Sequence, residues 1–265
     1  MTHVTQSQAD GPGMPLRSPI RLLLGPGEVL SDQELREMWS FRIGILRLKP
    51  HVSPEEDLAG FCRFCRRCTS VLRLRSSNGE LCGILVVAFQ DGTYEGQHYR
   101  LLLPEYGMMD ARLRGSALVP WAALRLLLYA LWNMPPRQPG ARLFLGGVGY
   151  PTSALLVERL FPPLWLHGDE EAPPLATHLL EWIRERLPPS ERWEPEARRV
   201  SMPTIPQPPS ERWLARQRAR PLYQRYVQRC PDWAQGYALP LVAPVSWRVP
   251  LLVAMRMLQR QLGER

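Results

Sequence analysis

The segment SPEEDLAGFCRFCRRC, residues 53–68, constrains the fold of this chain more than any other. Ser53, Pro54 and Glu56 make a helix start. The serine hydroxyl accepts a first-turn amide, the proline sits where no donor is needed, and the glutamate reaches back to the serine amide. On the helical period of about 100° per residue, Leu58, Phe61, Cys62, Cys65, Cys68 and Thr69 share one stripe. That stripe is roughly 120° wide, as a core-facing stripe is. Arg63, Arg66 and Arg67 fall on the opposite face.

The same segment carries three cysteines at a C-x2-C-x2-C spacing, which looks like a metal or iron–sulfur set. The helix argues against that use. Cys62 and Cys68 stand about 9 Å apart along its axis, whereas thiolates around one zinc lie only about 4 Å apart. The thiols are therefore expected as small buried hydrophobes, and Cys82 on an apolar run likewise. No metal is expected. A cysteine-based metal or redox protein stands as the third functional reading.

With this helix in place, the order of elements around it follows. A short apolar run at 20–25 reads as a strand. Ser31 and Glu34 form a capping box for a helix reaching to about Leu48. After Cys68 the period changes to two: SVLRLR alternates, Asn78-Gly79 turns, and ELCGILVVAF returns. A second turn at QDG (90–92) leads to a strand at 97–103, and residues 104–115 form a loop. A long apolar helix spans 116–132, a buried strand 142–147 and a short helix 151–161. An amphipathic helix lies in PLATHLLEWIRERL. Strands and helices in this order define a mixed α/β (α+β) fold: a mostly antiparallel central sheet with helices on both faces.

Residues 1–18 are expected as a disordered leader, 19–187 as the domain, and 188–265 as a Pro-, Arg- and Trp-rich C-terminal extension packed on it. The hexapeptide PPSERW occurs at 188–193 and again at 208–213, and is read as a reused helix start. The run at 116–132 is broken by Pro120 and Arg125. It falls short of the roughly 20 apolar residues a membrane span needs. Five cysteines without a secretion signal point to a cytoplasmic protein. The net charge of +8, almost all arginine, favours an anionic partner. Arg-rich runs such as 212–220 have no DNA- or RNA-binding module around them, so nucleic acid is not an expected partner. The last basic, apolar helix also allows peripheral contact with a membrane surface.

The stretch that carries chemistry is RLRGSA, residues 112–117, between a strand and the long helix. A glycine followed by a small residue lets a backbone approach a ligand. The helix behind it offers free N–H groups and the positive end of its dipole. Arg112 and Arg114 add charge-assisted contacts to an anion.

RLRGSA resembles the R/Q-x-x-G-x-G/A pyrophosphate loop of the GNAT (N-acetyltransferase) superfamily, and the element order over residues 20–187 is similar to that family's. The resemblance implies an acyl-thioester-dependent N-acyltransferase, with direct attack of an amine on the thioester. Arg112, Leu113, Arg114, Gly115, Ser116 and Ala117 would hold the pyrophosphate of acyl-CoA. The strand end near residues 103–106 would bulge and split from the next strand, making the cleft for the pantetheine arm. Glu105 would be the base, with Asp110 second, and Tyr150 the acid. An acyl carrier protein is the other donor such a fold takes, and long-chain N-acyl transfer is a branch that the Leu- and Met-lined cleft favours. The amine acceptor is not identified. LGGVGY (145–150) would be a flexible strand end beside the cleft. The rival reading is a catalytically silent GNAT-like binding or regulatory module.

Overall fold

The computed structural model describes residues 21–68, 70–110, 113, 122, 125, 128, 138, 140–188, 191–207 and 209–245. The expected leader, residues 112 and 114–117 of the RLRGSA loop, and the last basic helix lie outside them. Of the expected 116–132 helix, Ala122, Arg125 and Leu128 are described and are helical.

Helix α1 (Asp32–Ile45) starts on a complete capping box. The Ser31 hydroxyl accepts the Glu34 amide at 3.3 Å, and the Glu34 carboxylate accepts the Ser31 amide at 2.9 Å. The helix stops before Leu48. Residues Leu46–Leu48 instead form strand β2, which pairs with β10 (Thr204–Pro206) from far down the chain. Helix α2 (Pro54–Arg67) begins at Ser53 as expected, but with half a box. Ser53 accepts the Glu56 amide at 3.4 Å, while its hydroxyl donates to Glu55 at 2.9 Å. Phe61, Cys65 and Cys68 are buried and Cys62 half-buried, with Arg63, Arg66 and Arg67 exposed.

The sheet is built from β1 (Arg21–Gly25), β3 (Ser70–Arg75), β4 (Leu81–Tyr94), β5 (Gln97–Met109), β6 (Arg142–Gly149), β7 (Trp165–Leu166), β8 (Arg192–Glu194), β9 (Arg199–Ser201) and β11 (Tyr237–Pro244). Its order is β1-β3-β4-β5-β6-β11-β9-β8, with β7 also on β11. Among the described strands only β5 and β6 pair in parallel. Strands from beyond residue 187 therefore belong to the same sheet as those before it.

Three expectations about this sheet change. Asp91 and Gly92 lie within β4, and the turn falls at Glu95 and Gly96, with φ of 48° and 78°. Two positive φ values make the tight hairpin turn that suits twisted strands. Gly92 is needed for packing, since a Cβ there would meet the Tyr99 ring hydroxyl at 2.3 Å. Second, residues 104–109 continue β5 rather than forming a loop. Third, two glycines of LGGVGY, Gly146 and Gly149, are tightly packed. A Cβ on Gly146 would meet Ile183 and Val242 at 2.8 Å, and one on Gly149 would meet Leu241 at 2.9 Å.

Alternation along the strands covers both faces. Val71, Ile84, Val86 and Met108 pack beneath α1 and α2 with Leu35, Met38, Phe61 and Cys65. On the same face Tyr99, Leu101 and Leu103 meet Leu179, Leu180 and Ile183 of α4 (Pro174–Glu185). The other face carries Leu72, Leu74 and Val87 with Ala122. There Leu102 also joins a cluster with α3 (Pro151–Leu160) and α6 (Pro221–Arg229). A short helix, α5 (Glu211–Gln217), precedes α6.

Candidate active site

The site forms where β5 changes register and leaves β6. Against β4, Pro104 faces Val87 and Tyr106 faces Val86, so Glu105 is an extra residue with no partner across the ladder. Such a bulge bends the strand. It also shifts the alternation by one, which turns every later side chain to the opposite face. Tyr106 is thereby turned toward α2, its ring 5.1 Å from that of Phe61 and 5.2 Å from that of Phe64. On the other edge, the parallel ladder runs from Tyr99↔Arg142 to Leu102↔Leu145 and then ends, although both strands continue. The two strands part with Glu105 just beyond the fork.

Helices α1 and α2 wall one side with a buried ion pair. Arg42 donates to Asp57, which also accepts the Trp39 indole N–H at 2.7 Å. Both charged side chains are nearly fully buried, at 2% and 4% exposure. The Arg42 guanidinium lies 5.2 Å from the Tyr106 ring centre and 5.8 Å from that of Phe61. It is thus held by one carboxylate and two aromatic faces.

The segment after residue 187 closes the other side. Tyr150, which precedes α3, donates its hydroxyl to the Thr204 carbonyl at 2.9 Å. Tyr226 of α6 donates to the Gly149 carbonyl at 2.7 Å and accepts the Leu239 amide at 3.1 Å, pinning β6 to β11. Glu191 enters from the loop before β8, its own amide donating to the Pro188 carbonyl at 2.8 Å. The Glu191 Oε2 atom is buried and has no hydrogen-bond partner.

The electrostatics follow from this burial. Removal from water holds the Glu105 carboxyl up at about 7. Glu191 is pushed up to about 8, first by burial and then by the charge of Glu105, with Arg42 opposing. Tyr106 and Tyr150 are both raised by burial and so stay neutral. Burial also raises Cys65, and lifts Cys68 to about 12 with Glu105 nearby. These thiols are therefore poor nucleophiles and poor ligands in this state. Among the described residues no three His, Cys, Asp or Glu side chains gather to hold a metal.

Of the residues singled out in the sequence, Glu105 stands at the bulge. The charge of Glu191 acts on Tyr150, and that of Glu105 acts on Glu191, while the Tyr150 hydroxyl itself bonds to Thr204. Asp110 lies apart, past the end of β5, its amide donating to the Cys82 carbonyl at 2.9 Å. Leu113 is buried and its amide donates to the Asp110 carbonyl at 3.0 Å. Arg112, Arg114, Gly115, Ser116 and Ala117 lie outside the described residues. Sequence reasoning passed over Arg42, Asp57, Tyr106 and Glu191. Asp57 carried a signal, since it sits one and two helical turns before Phe61 and Cys65 on the core stripe. Arg42 sits one and two turns after Met38 and Leu35 on the core stripe of α1.

No protein-family model matches the chain, and no curated protein matches its sequence. Solved structures similar in shape include a conserved protein of Enterococcus faecalis V583 called a probable N-acyltransferase. It is 15% identical with a TM-score of 0.39, over 54% of this chain and 32% of that one. A GCN5-related N-acetyltransferase from Kribbella flavida is 14% identical with a TM-score of 0.41, over 57% of this chain and 34% of that one. An aminoglycoside N-acetyltransferase in complex with CoA is 12% identical with a TM-score of 0.38, over 55% of this chain and 88% of that one. The chain thus spans about a third of the first two. Among the described residues no helix is long and apolar enough to cross a membrane.

Proposed function

We propose that this chain is an N-acyltransferase of GNAT type that moves an acyl group from a thioester to an amine. The observation that carries this is the fork between β5 and β6 with the bulged, desolvated Glu105 beside it. The fork offers a slot with main-chain groups on both walls, which suits the amide-rich arm of acyl-CoA. The residues of RLRGSA, including Gly115 and Ser116, would hold the pyrophosphate, and Arg112 and Arg114 would neutralise it.

A carboxyl held near 7 is matched to proton transfer at neutral pH. Glu105 takes a proton from the acceptor nitrogen. The nitrogen lone pair attacks the thioester carbonyl, forming the C–N bond, and a bulge amide steadies the oxyanion. The C–S bond then breaks and the thiolate leaves, protonated by Tyr150. Asp110 is the second candidate for the base.

The test begins with binding. CoA, acyl-CoAs from acetyl to long-chain, and acyl carrier protein thioesters are each screened for a rise in Tm, which Gly115→Asp should abolish. Thiol release is then followed on a panel of amines. Glu105→Gln should lower kcat by about 10²–10⁴-fold with thioester binding retained, and Asp110→Asn should not. Failure of every thioester to bind would overturn the proposal. Binding without turnover on any amine would establish the silent binding module instead.

A further inference from the structure

The buried charges around the fork do not balance. Facing Glu191 and Glu105 are Arg42 from α1, Asp57, Cys65 and Cys68 from α2, Tyr106 from β5, and Tyr150 ahead of α3. Burial keeps the thiols and phenols neutral. The guanidinium of Arg42 donates to Asp57 and lies over two aromatic rings, and its Nε is buried without a partner among the described residues. Among the described residues, that leaves these two carboxyls to share one cation that is already bonded to Asp57.

One of the two carboxyls, that of Glu191, has a buried oxygen, Oε2, without a partner among the described residues. Glu105 is the residue that the ladder leaves unopposed, and burial alone accounts for its shift. A buried acceptor without a donor costs about 1–3 kcal/mol. Such a group persists where a ligand supplies the missing donor. A partner with a positive charge and several N–H donors would serve both carboxyls at once.

We propose that Glu191 and Glu105 together form the seat for the acceptor's ammonium group, so that the acceptor is an aliphatic amine that arrives as a cation. An ammonium has three N–H donors, enough to reach both carboxylates at once. The chemistry after binding rests on the acyl-transfer reading above, while the binding itself does not. To become an amide, an ammonium sheds two protons, one before attack and one from the tetrahedral nitrogen. Two adjacent carboxylates can take both. One proton then passes to the departing thiolate and one to solvent. Glu191 would so act on the substrate directly, beside the base. An aromatic amine or an alkoxyamine, uncharged at neutral pH, would gain nothing from the pair.

The probes are n-butylamine, a cation at pH 7.5, and O-methylhydroxylamine, uncharged there. Each is titrated into the protein in two buffers of different ionisation enthalpy. The cation should bind more tightly and release protons from the carboxyl pair, and the neutral probe should release none. Glu191→Gln keeps the shape of the side chain. It should weaken n-butylamine by about 10-fold or more, shrink the proton release, and leave O-methylhydroxylamine within about 2-fold. Glu191→Asp should restore part of the preference for the cation and shows that the effect follows charge. Equal binding of the two probes to the unaltered protein, or unchanged n-butylamine binding in Glu191→Gln, would overturn the proposal. Cation binding with proton release but no acylation of any amine would support this seat and sink the acyl-transfer reading. Acylation with no distinction between charged and uncharged amines in either protein would do the reverse.

Discussion

The chain uses the hexapeptide Pro-Pro-Ser-Glu-Arg-Trp twice, and the two copies end in different structures. In the second, Ser210 caps α5 by accepting the Trp213 amide at 3.3 Å. Glu211 opens that helix in water, its side chain 86% exposed and 3.7 Å from Arg218, itself 68% exposed. In the first copy Arg192 and Trp193, with Glu194 after them, form strand β8 on β9. Glu191 just before it is driven into the fork, where its carboxyl rises to about 8. The hexapeptide is identical, so its own propensity cannot decide between helix and strand here. Its surroundings do: β9 and β11 recruit the first copy, while the second runs on into helix-forming residues behind its Ser210 cap.

The largest expected effect tests whether burial, rather than sequence, sets the worth of each glutamate's neighbouring cation. Arg42→Met would leave Asp57 buried without its partner and Glu191 without the cation that opposes its shift. Urea unfolding should show a loss of about 3–5 kcal/mol, as for other broken buried pairs. Arg218→Met, beside the exposed Glu211, should cost less than about 0.5 kcal/mol. Equal losses would break the contrast.

Next comes pH. Glu105 and Glu191 titrate at about 7 and about 8, above the ordinary glutamate value of 4.5. The folded state therefore binds protons that the unfolded chain has released, so stability falls as pH rises between those limits. The contribution is full below about pH 4.5 and lost by about pH 8. Glu191→Gln should match the unaltered protein in Tm at pH 5 and exceed it by several degrees at pH 9. Glu211→Gln should follow the unaltered protein at both. A Glu191→Gln curve parallel to the unaltered one would place the glutamate in water.

How much of this was legible beforehand depends on the range of the interaction. The α2 start, its cysteine face and its outward arginines were all readable, because a helix period and a cap are local. Residues 104–109 were misread as a loop because the bulge breaks the period-two pattern at the functional residue itself. Leu101 and Leu103 face one way, and after Glu105 it is Tyr106 and Met108 that continue that face. Asp57 and Arg42 were visible as charges on apolar stripes, and pairing them would have located the wall of the site. Glu191 had no such mark. Its burial depends on β10 reaching back to β2, on Tyr150 bonding to Thr204, and on β11 entering the sheet beside β6. No window of the sequence contains those facts.

The smallest effect sharpens the comparison at the second copy. If α5 forms because of its own cap, Ser210→Ala should release it, at a cost of about 0.5–2 kcal/mol. A seven-residue helix has little hydrogen bonding of its own to fall back on. Its tie to the core runs through Trp213 and Leu214, which pack against the cluster of α3 and α6 and hold Trp213 at 6.3 Å from Tyr223. Global unfolding would register only part of the loss, because α5 can open while the sheet stays folded. Amide exchange reads it directly. The Trp213 amide, whose bond goes to Ser210, should lose protection by roughly 10-fold in Ser210→Ala, at about 1.4 kcal/mol per decade. The Tyr226–Leu239 bond, deep in the sheet, should keep its protection. Equal loss at both amides would mean that the second copy, like the first, is held by the fold rather than by its cap.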